Sequence, residues 1–388
     1  MPLPGAISPD IGMDPRLLLL CAGDPDDERP FSGSARSLFR ALGDLGCVHQ
    51  KGNVAGFSDP FARRAPWVQR LRGFDRFGIE ERYRWSRVAF MRMTRRAERI
   101  AAANPGFNAC LMYGTSYLPR LDVPLYCYFD ATAAQVYEAR AWEFGLFSEA
   151  HARRIIERQR QVFERCACVF PRTGWAAASV ERDYGIPRER ILPAGAGPNY
   201  YAEPLPHGPY DGQIILFVGS EFERKGGPLI LDAFRRVRAR MPGARLRIIG
   251  CEPQIAEPGV EVVGRIRKDV PGGLDRLLRH YSEASVFCIM SSFEPFGIVV
   301  IEAQNCCVPC VLPARFAFPE MIVDGVTGRL VTQYDSEMLA RALVGLLGNA
   351  RLLEEMGRAG HAFVRRQYTW AGAAARMLER LRADRSAR

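Results

Sequence analysis

The sequence predicts an α/β protein of two domains, each a parallel sheet with helices on both faces, set against one another across a cleft. Three observations lead there. Short apolar runs alternate with helical stretches along most of the chain. The alternation breaks once, in Gly195-Ala-Gly-Pro-Asn-Tyr-Tyr-Ala-Glu-Pro-Leu-Pro-His-Gly-Pro209, where Gly and Pro punctuate without periodicity, and then restarts. The length of 388 residues exceeds one ordinary core and suits two. The expected division is residues 1–205, residues 206–370, and a terminal helix at 371–388 that packs back on the first domain.

In the first half, Leu17–Ala22 is an uninterrupted apolar run. It falls well short of the roughly 18 residues of a membrane span and lacks the basic flank and cleavage site of a signal peptide. It reads as a buried parallel strand, and the protein as cytoplasmic. A polar loop, Asp24 to Pro30, leads to Phe31-Ser-Gly-Ser34 and a helical stretch in which Leu38, Leu42 and Leu45 share a face. Asp24-Pro-Asp26 has the form of an Asp-x-Asp metal motif, but Asp and Pro are what a turn uses, and it is taken as a turn. Strands are expected at Ala109–Tyr113, Pro124–Phe129 and Cys168–Pro171, with a helix over Glu149–Arg165.

In the second half, strands are expected at Ile214–Gly219, Arg245–Gly250, Val260–Val263, Val286–Met290 and Cys310–Leu312. A helix over Gly227–Arg240 ends before Pro242-Gly243. Ligands of such sheets bind beyond the carboxyl ends of the strands, so loops of both halves should line the cleft.

The net charge of +10 points to an anionic partner. The excess concentrates in Arg63–Arg99, twelve Arg against four acids, interleaved with Trp67, Leu71, Phe74, Phe77, Tyr83 and Trp85. That stretch suits peripheral membrane contact on the inner face, a groove for an anionic acceptor, or a solvated helix face. Nucleic acid is not expected. Eleven cysteines without an export signal read as reduced, mostly buried thiols. Cys306-Cys307-Val308-Pro309-Cys310 contains a C-x-x-C, but no second pair or histidines stand at zinc spacing. No metal or other cofactor is expected.

Three constellations carry chemistry. In Leu216-Phe-Val-Gly-Ser-Glu-Phe-Glu-Arg-Lys-Gly-Gly227 a strand ends, a loop with glycines and cations follows, and a helix begins. Helix N-termini attract phosphate, and Lys225 adds a full charge. In Ser291-Ser-Phe-Glu-Pro-Phe-Gly-Ile-Val-Val-Ile-Glu-Ala303, Glu294 precedes a helix start and Glu302 lies further along it. If the segment is mostly helical, the carboxylates stand about 12 Å apart along the axis. That is too far for a shared-proton dyad or a glycosidase pair, and suits two hydrogen-bonding tasks at opposite ends of an extended polar ligand. The apolar run Ile298–Ile301 implies a buried helix, so a polar partner must meet Glu302. The third constellation is a set of turns: Ile248-Ile-Gly-Cys251, Val262-Val-Gly-Arg-Ile266, Phe318-Pro-Glu-Met-Ile322 and Asp324-Gly-Val-Thr-Gly328.

In this order the motifs resemble the family 4 retaining glycosyltransferases of the GT-B superfamily, closely over residues 214 to about 345. Coverage of the first half is looser and rests on Phe31-Ser-Gly-Ser34, Tyr128-Phe-Asp-Ala-Thr132, Tyr184-Gly-Ile186 and Gly195-Ala-Gly197. The resemblance implies two Rossmann-like domains, the first on the acceptor side and the second binding a nucleotide-diphosphate sugar. It implies that Lys225 binds the donor diphosphate, Glu302 the ribose hydroxyls, and Glu294 the transferred sugar. Phe296, Gly297 and Ile298 would offer backbone to sugar and phosphate. Arg265 and Ile266 would line the base pocket, and Gly33 would lie under the phosphates across the cleft.

Two departures stand out. Many members place an Arg directly after the strand-end glycine; here it is Ser220, with Arg224 as the substitute to test. Many also carry a His in the first-domain strand-end segment, where this chain has Asp130. An Asp accepts a hydrogen bond or acts as a base but does not mimic neutral imidazole. The resemblance leaves the acceptor open, whether saccharide or lipid-linked. An epimerase or phosphorylase on the same frame, and a non-enzymatic polyanion or membrane-surface binder, are the rival readings.

Overall fold

The computed structural model describes residues 14–28, 30–55, 83, 85–141, 147–200 and 203–386. The first domain is built on five strands: β1 (Leu17–Cys21), β2 (Val48–Asn53), β3 (Ala109–Tyr113), β4 (Leu125–Phe129) and β5 (Cys166–Pro171). All pair in parallel, in the order β2-β1-β3-β4-β5. Strands β1, β3 and β4 are buried along their whole length, as continuous apolar runs in a sheet covered on both faces should be. Strand β2, with the sequence Val-His-Gln-Lys-Gly-Asn, sits at the sheet edge and is only partly buried. An edge strand need not be apolar, which is why the hydrophobic pattern did not reveal it.

Helices α1 (Ser34–Asp44), α2 (Arg87–Ala103), α3 (Ala133–Glu138), α4 (Glu149–Arg165) and α5 (Gly174–Tyr184) accompany these strands. Side chains cap four of them: Ser86, Thr132, Ser148 and Thr173 each accept a backbone N–H of the first turn. Helix α1 has no such cap. Its N-cap is Gly33, at φ 84°, after Phe31 and Ser32 at φ 52° and 56°. A left-handed run of this kind is costly for residues with a Cβ, and it presents the loop to the cleft.

The second sheet has six parallel strands: β6 (Ile214–Val218), β7 (Arg245–Ile249), β8 (Val260–Gly264), β9 (Val286–Cys288), β10 (Cys310–Pro313) and β11 (Gly328–Val331). Their order is β11-β10-β9-β6-β7-β8. Its helices are α6 (Gly227–Arg240), α7 (Gly273–Ser282), α8 (Ile298–Asn305), α9 (Phe318–Met321), α10 (Ser336–Leu347) and α11 (Ala350–Gln367). Several strands end earlier than their apolar runs. The clearest case is β9, expected to reach Met290: Ile289 and Met290 are fully buried, but Met290 donates its N–H to the Lys225 carbonyl at 3.0 Å instead of extending the ladder. Strand β5, by contrast, starts two residues before its expected Cys168.

The last helix, α12 (Trp370–Ser386), leaves the second domain and lies against the first. Trp370 donates its indole N–H to the Pro198 carbonyl at 3.0 Å, Arg376 reaches the Ala194 carbonyl at 2.6 Å, and Arg380 that of Glu189 at 2.6 Å. The domains also meet directly. Glu320 of α9 accepts the backbone N–H of Gly174 at 2.7 Å and of Trp175 at 2.5 Å, placing a carboxylate at the N-terminus of α5. Trp175 packs edge-on against Phe293 and Phe316, with ring centroids 6.0 and 5.9 Å away.

All eleven cysteines are free thiols. Cys306 and Cys310 are buried and Cys307 half-buried, and burial raises the thiol pKa of all three, that of Cys306 to about 12. Asp24 accepts the Asp26 N–H at 3.0 Å and Asp26 pairs with Lys51 at 2.6 Å, which is turn and edge work. Of the arginine-rich stretch, residues 63–82 and 84 lie outside the described residues; Arg87, Arg92, Arg95 and Arg99 are exposed on α2. Among the described residues no helix is long and apolar enough to cross a membrane.

Trp370 is 6% exposed and touches the Tyr128 ring at a centroid distance of 6.5 Å. Trp370→Ala is expected to destabilise the protein by about 3 kcal/mol or more, read as a lowered urea midpoint by tryptophan fluorescence.

Candidate functional site

The site begins where β6 ends. Ser220 follows the strand and is exposed, and the loop then turns sharply at Gly226, φ 77°, into α6. A Cβ at Gly226 would stand 2.0 Å from the Met290 carbonyl oxygen, so only glycine lets the two loops touch. A Cβ at Gly219 would likewise meet Lys225 Cδ at 2.2 Å. These two glycines lay the lysine stem along the strand end.

Lys225 is 8% and Glu294 7% exposed, and Lys225 Nζ donates to Glu294 Oε2 at 2.7 Å. Arg224 does not stand free as a replacement for the cation missing at Ser220. Its guanidinium pairs with Glu221, donates to the Phe293 carbonyl at 2.7 Å and lies 3.8 Å from Glu294. Burial by itself raises the Glu294 pKa. Lys225 and Arg224, with hydrogen bonds from Lys225 and Ser291, outweigh it and hold the carboxyl below its ordinary value of 4.5.

The spacing of the two glutamates needs correction. Helix α8 starts only at Ile298, so Glu294 belongs to the preceding loop and the segment is part loop, part helix. Nor are all three expected amides free, because Ile298 donates its N–H to the Phe296 carbonyl at 2.8 Å. Gly297, the N-cap of α8, carries no side-chain cap.

Glu302, 1% exposed, finds the polar partners its burial demanded. Lys268 Nζ donates to Oε1 at 3.0 Å, and the Asn199 backbone N–H reaches the same oxygen at 3.3 Å. Lys268 rides on the loop that follows β8 and begins with Arg265, exposed, and Ile266, half-buried. The Asn199 side chain donates to the Ser32 carbonyl at 2.6 Å and to Ser34 Oγ at 3.0 Å, tying Glu302 to the loop of Gly33. Its Oδ1 is buried and has no partner among the described residues.

On the first domain, Asp130 follows β4 with its side chain 45% exposed. Arg172, which follows β5, is 6% exposed and stands 3.9 Å from Asp130. It donates to the Tyr113 hydroxyl and lies over the rings of Tyr113, Tyr128 and Phe296 at 5.7, 5.3 and 5.5 Å. Phe296 belongs to the second domain, so this cation spans the cleft. Sequence reasoning missed Arg172, Asn199 and Lys268. Arg172 had a usable signal, since it immediately follows a strand read as parallel, at the edge where ligands bind.

Residues 207–363 match the family described as glycosyl transferases group 1. Among relatives, the GDP-mannose-dependent alpha-(1-6)-phosphatidylinositol monomannoside mannosyltransferase of Mycolicibacterium smegmatis is 28% identical over 46% of this chain and 50% of its own length. The D-inositol 3-phosphate glycosyltransferase of Corynebacterium diphtheriae is 33% identical over 44% of this chain and 42% of its own. The matched stretch thus spans half or less of these relatives. Across the whole chain the likeness is one of fold. Sucrose-phosphate synthase from Thermosynechococcus elongatus superposes with a TM-score of 0.72 at 18% identity, over 96% of this chain and 100% of that one. Anabaena HepE in complex with UDP and glucose gives 0.61 at 13%, over 95% and 99%. The fold is GT-B, two parallel-sheet domains facing a cleft.

The depressed Glu294 pKa fixes a sign. The stabilisation is full above about pH 4.5, the unfolded value, and is lost as pH falls through the lower folded one. Glu294→Gln should cost about 2 kcal/mol at neutral pH by taking the charge from Lys225's partner. It should also flatten the acid limb of a plot of urea midpoint against pH.

Proposed function

We propose that the protein is a retaining glycosyltransferase, moving a glycosyl group from a nucleotide-diphosphate sugar to a saccharide or lipid-linked acceptor held by the first domain. The observation that carries this reading is the pair of buried carboxylates with different surroundings at one cleft. Glu302 is ringed by neutral and cationic donors, a setting suited to vicinal ribose hydroxyls. Glu294 is locked to Lys225 beside a helix start, a setting suited to a sugar next to a phosphate. The group 1 match over residues 207–363 and relatives named as glycosyltransferases support it. The UDP in the HepE complex supports the class of donor.

In this mechanism the bond between the anomeric carbon and the diphosphate oxygen breaks, and negative charge grows on the leaving group. Lys225 and the open amides ahead of α8 stabilise that charge where it develops. The acceptor hydroxyl attacks from the same face, and its proton passes to the departing phosphate oxygen. Asp130, half-exposed at the rim of the first sheet, is placed to hold a hydroxyl of the reacting sugars. Capture of a covalent glycosyl-enzyme adduct would overturn the same-face route.

A thermal-shift screen of nucleotide sugars identifies the donor, because a ligand bound only by the folded state raises its stability. With that donor, Lys225→Met is expected to lower kcat by about 100- to 1,000-fold. Glu302→Ala should act chiefly on donor KM. Wild-type kinetics in both variants would remove the assignment, and release of an epimerised nucleotide sugar without transfer would favour the rival enzyme class.

A further inference from the structure

The loop that follows β6 offers a diphosphate little net positive charge. Its two cations, Lys225 and Arg224, already face two carboxylates, Glu294 and Glu221. The position directly after the strand-end glycine is an uncharged Ser220. A nucleoside diphosphate carries at least two negative charges into a desolvated cleft, and charge buried there without a counter-charge is costly.

The missing cation stands on the opposite wall. Arg172 is fully charged at any working pH, is 6% exposed, and has one carboxylate within 4 Å among the described residues. That carboxylate, Asp130 at 3.9 Å, is beyond hydrogen-bonding distance. The Arg172 Nε–H is buried and has no partner among the described residues. A buried guanidinium with an unmet N–H is a site prepared for an anion. Its surroundings fix where that anion would lie. The guanidinium rests on the ring of Phe296, one residue before the Gly297 cap of α8. The ring of Tyr113, whose hydroxyl it donates to, packs on Phe31 of the Gly33 loop with centroids 4.7 Å apart. Arg172 therefore stands between the glycine loop of one domain and the helix start of the other. Asn199, with its own unpartnered Oδ1, ties that same glycine loop to Glu302.

We propose that Arg172 supplies the second cation for the donor diphosphate, delivered from the first domain, in place of the cation that Ser220 does not provide. This rests on the donor-site reading above. The charge is then complete only when the two domains face each other, so a donor bound to the second domain alone would lack it.

Calorimetric titration of the full chain with UDP, GDP, ADP and dTDP, and with the matching nucleosides, tests this. For the diphosphate that binds, Arg172→Met should weaken affinity about 10- to 100-fold while leaving the nucleoside's affinity unchanged, and Arg172→Lys should recover part of the loss. Equal loss for nucleoside and diphosphate would mean a structural role and would overturn the proposal. Should Arg172→Met fail to fold, Arg172→Lys carries the same comparison, weaker than wild type for the diphosphate alone. Lys225→Met separates the two readings. If it is weakened and Arg172→Met is not, the Arg172 assignment alone falls. If neither is weakened, or no diphosphate binds the wild type, the donor site itself is refuted.

Discussion

The cleft of this protein depends on charge being held where there is little water. Lys225 and Glu294 form an ion pair at the rim of the second sheet with both partners almost buried. Such a pair is poor value as a stabiliser, because desolvation consumes most of the attraction between the charges. What it provides is position: a carboxylate and an ammonium fixed before any ligand arrives, which is what stabilising a developing charge requires. Around it the backbone is arranged to match. Gly219 and Gly226 admit the lysine stem and the close approach of Met290, and β9 gives up two residues of ladder to hold the Lys225 loop.

The same economy recurs at Glu302 and Arg172. Each is a buried charge reached from outside its own domain: Glu302 by Asn199, from the segment linking the domains, and Arg172 by the ring of Phe296. Site and domain arrangement are thus one problem. Glu320 on the N-terminus of α5, the cluster of Trp175, Phe293 and Phe316, and α12 against the first domain fix the relation of the two sheets. Phe293 immediately precedes Glu294, so packing across the cleft acts directly on the loop that carries the carboxylate.

Much of the second domain was legible in the sequence. Its strands are apolar runs buried on both faces, and Gly227–Arg240 was delimited by its amphipathic face and by Pro242-Gly243. Lys225, Glu294 and Glu302 announced themselves through local context, one in a strand-to-helix loop and two flanking a helix start. The need for a polar partner at Glu302 followed from the apolar run Ile298–Ile301; its identity, Lys268, did not, because the lysine arrives on a different loop. The edge strand β2 and the full extent of β5 were obscured by the same cause: pairing in a ladder is decided by the neighbouring strand.

By itself, the sequence determined the alternation of strands and helices, the break between two sheets, and Lys225, Glu294 and Glu302 as the candidate site residues of the second domain. These follow from local periodicity and from short motifs whose geometry is set within a few residues. Only the tertiary structure decided that Arg224 is consumed by Glu221, Phe293 and Glu294, and that Arg172, Asn199 and Lys268 join the cleft. Those outcomes turn on contacts between residues far apart in the chain. Burial of a charge is a property of what surrounds it, and no stretch of sequence states its own surroundings.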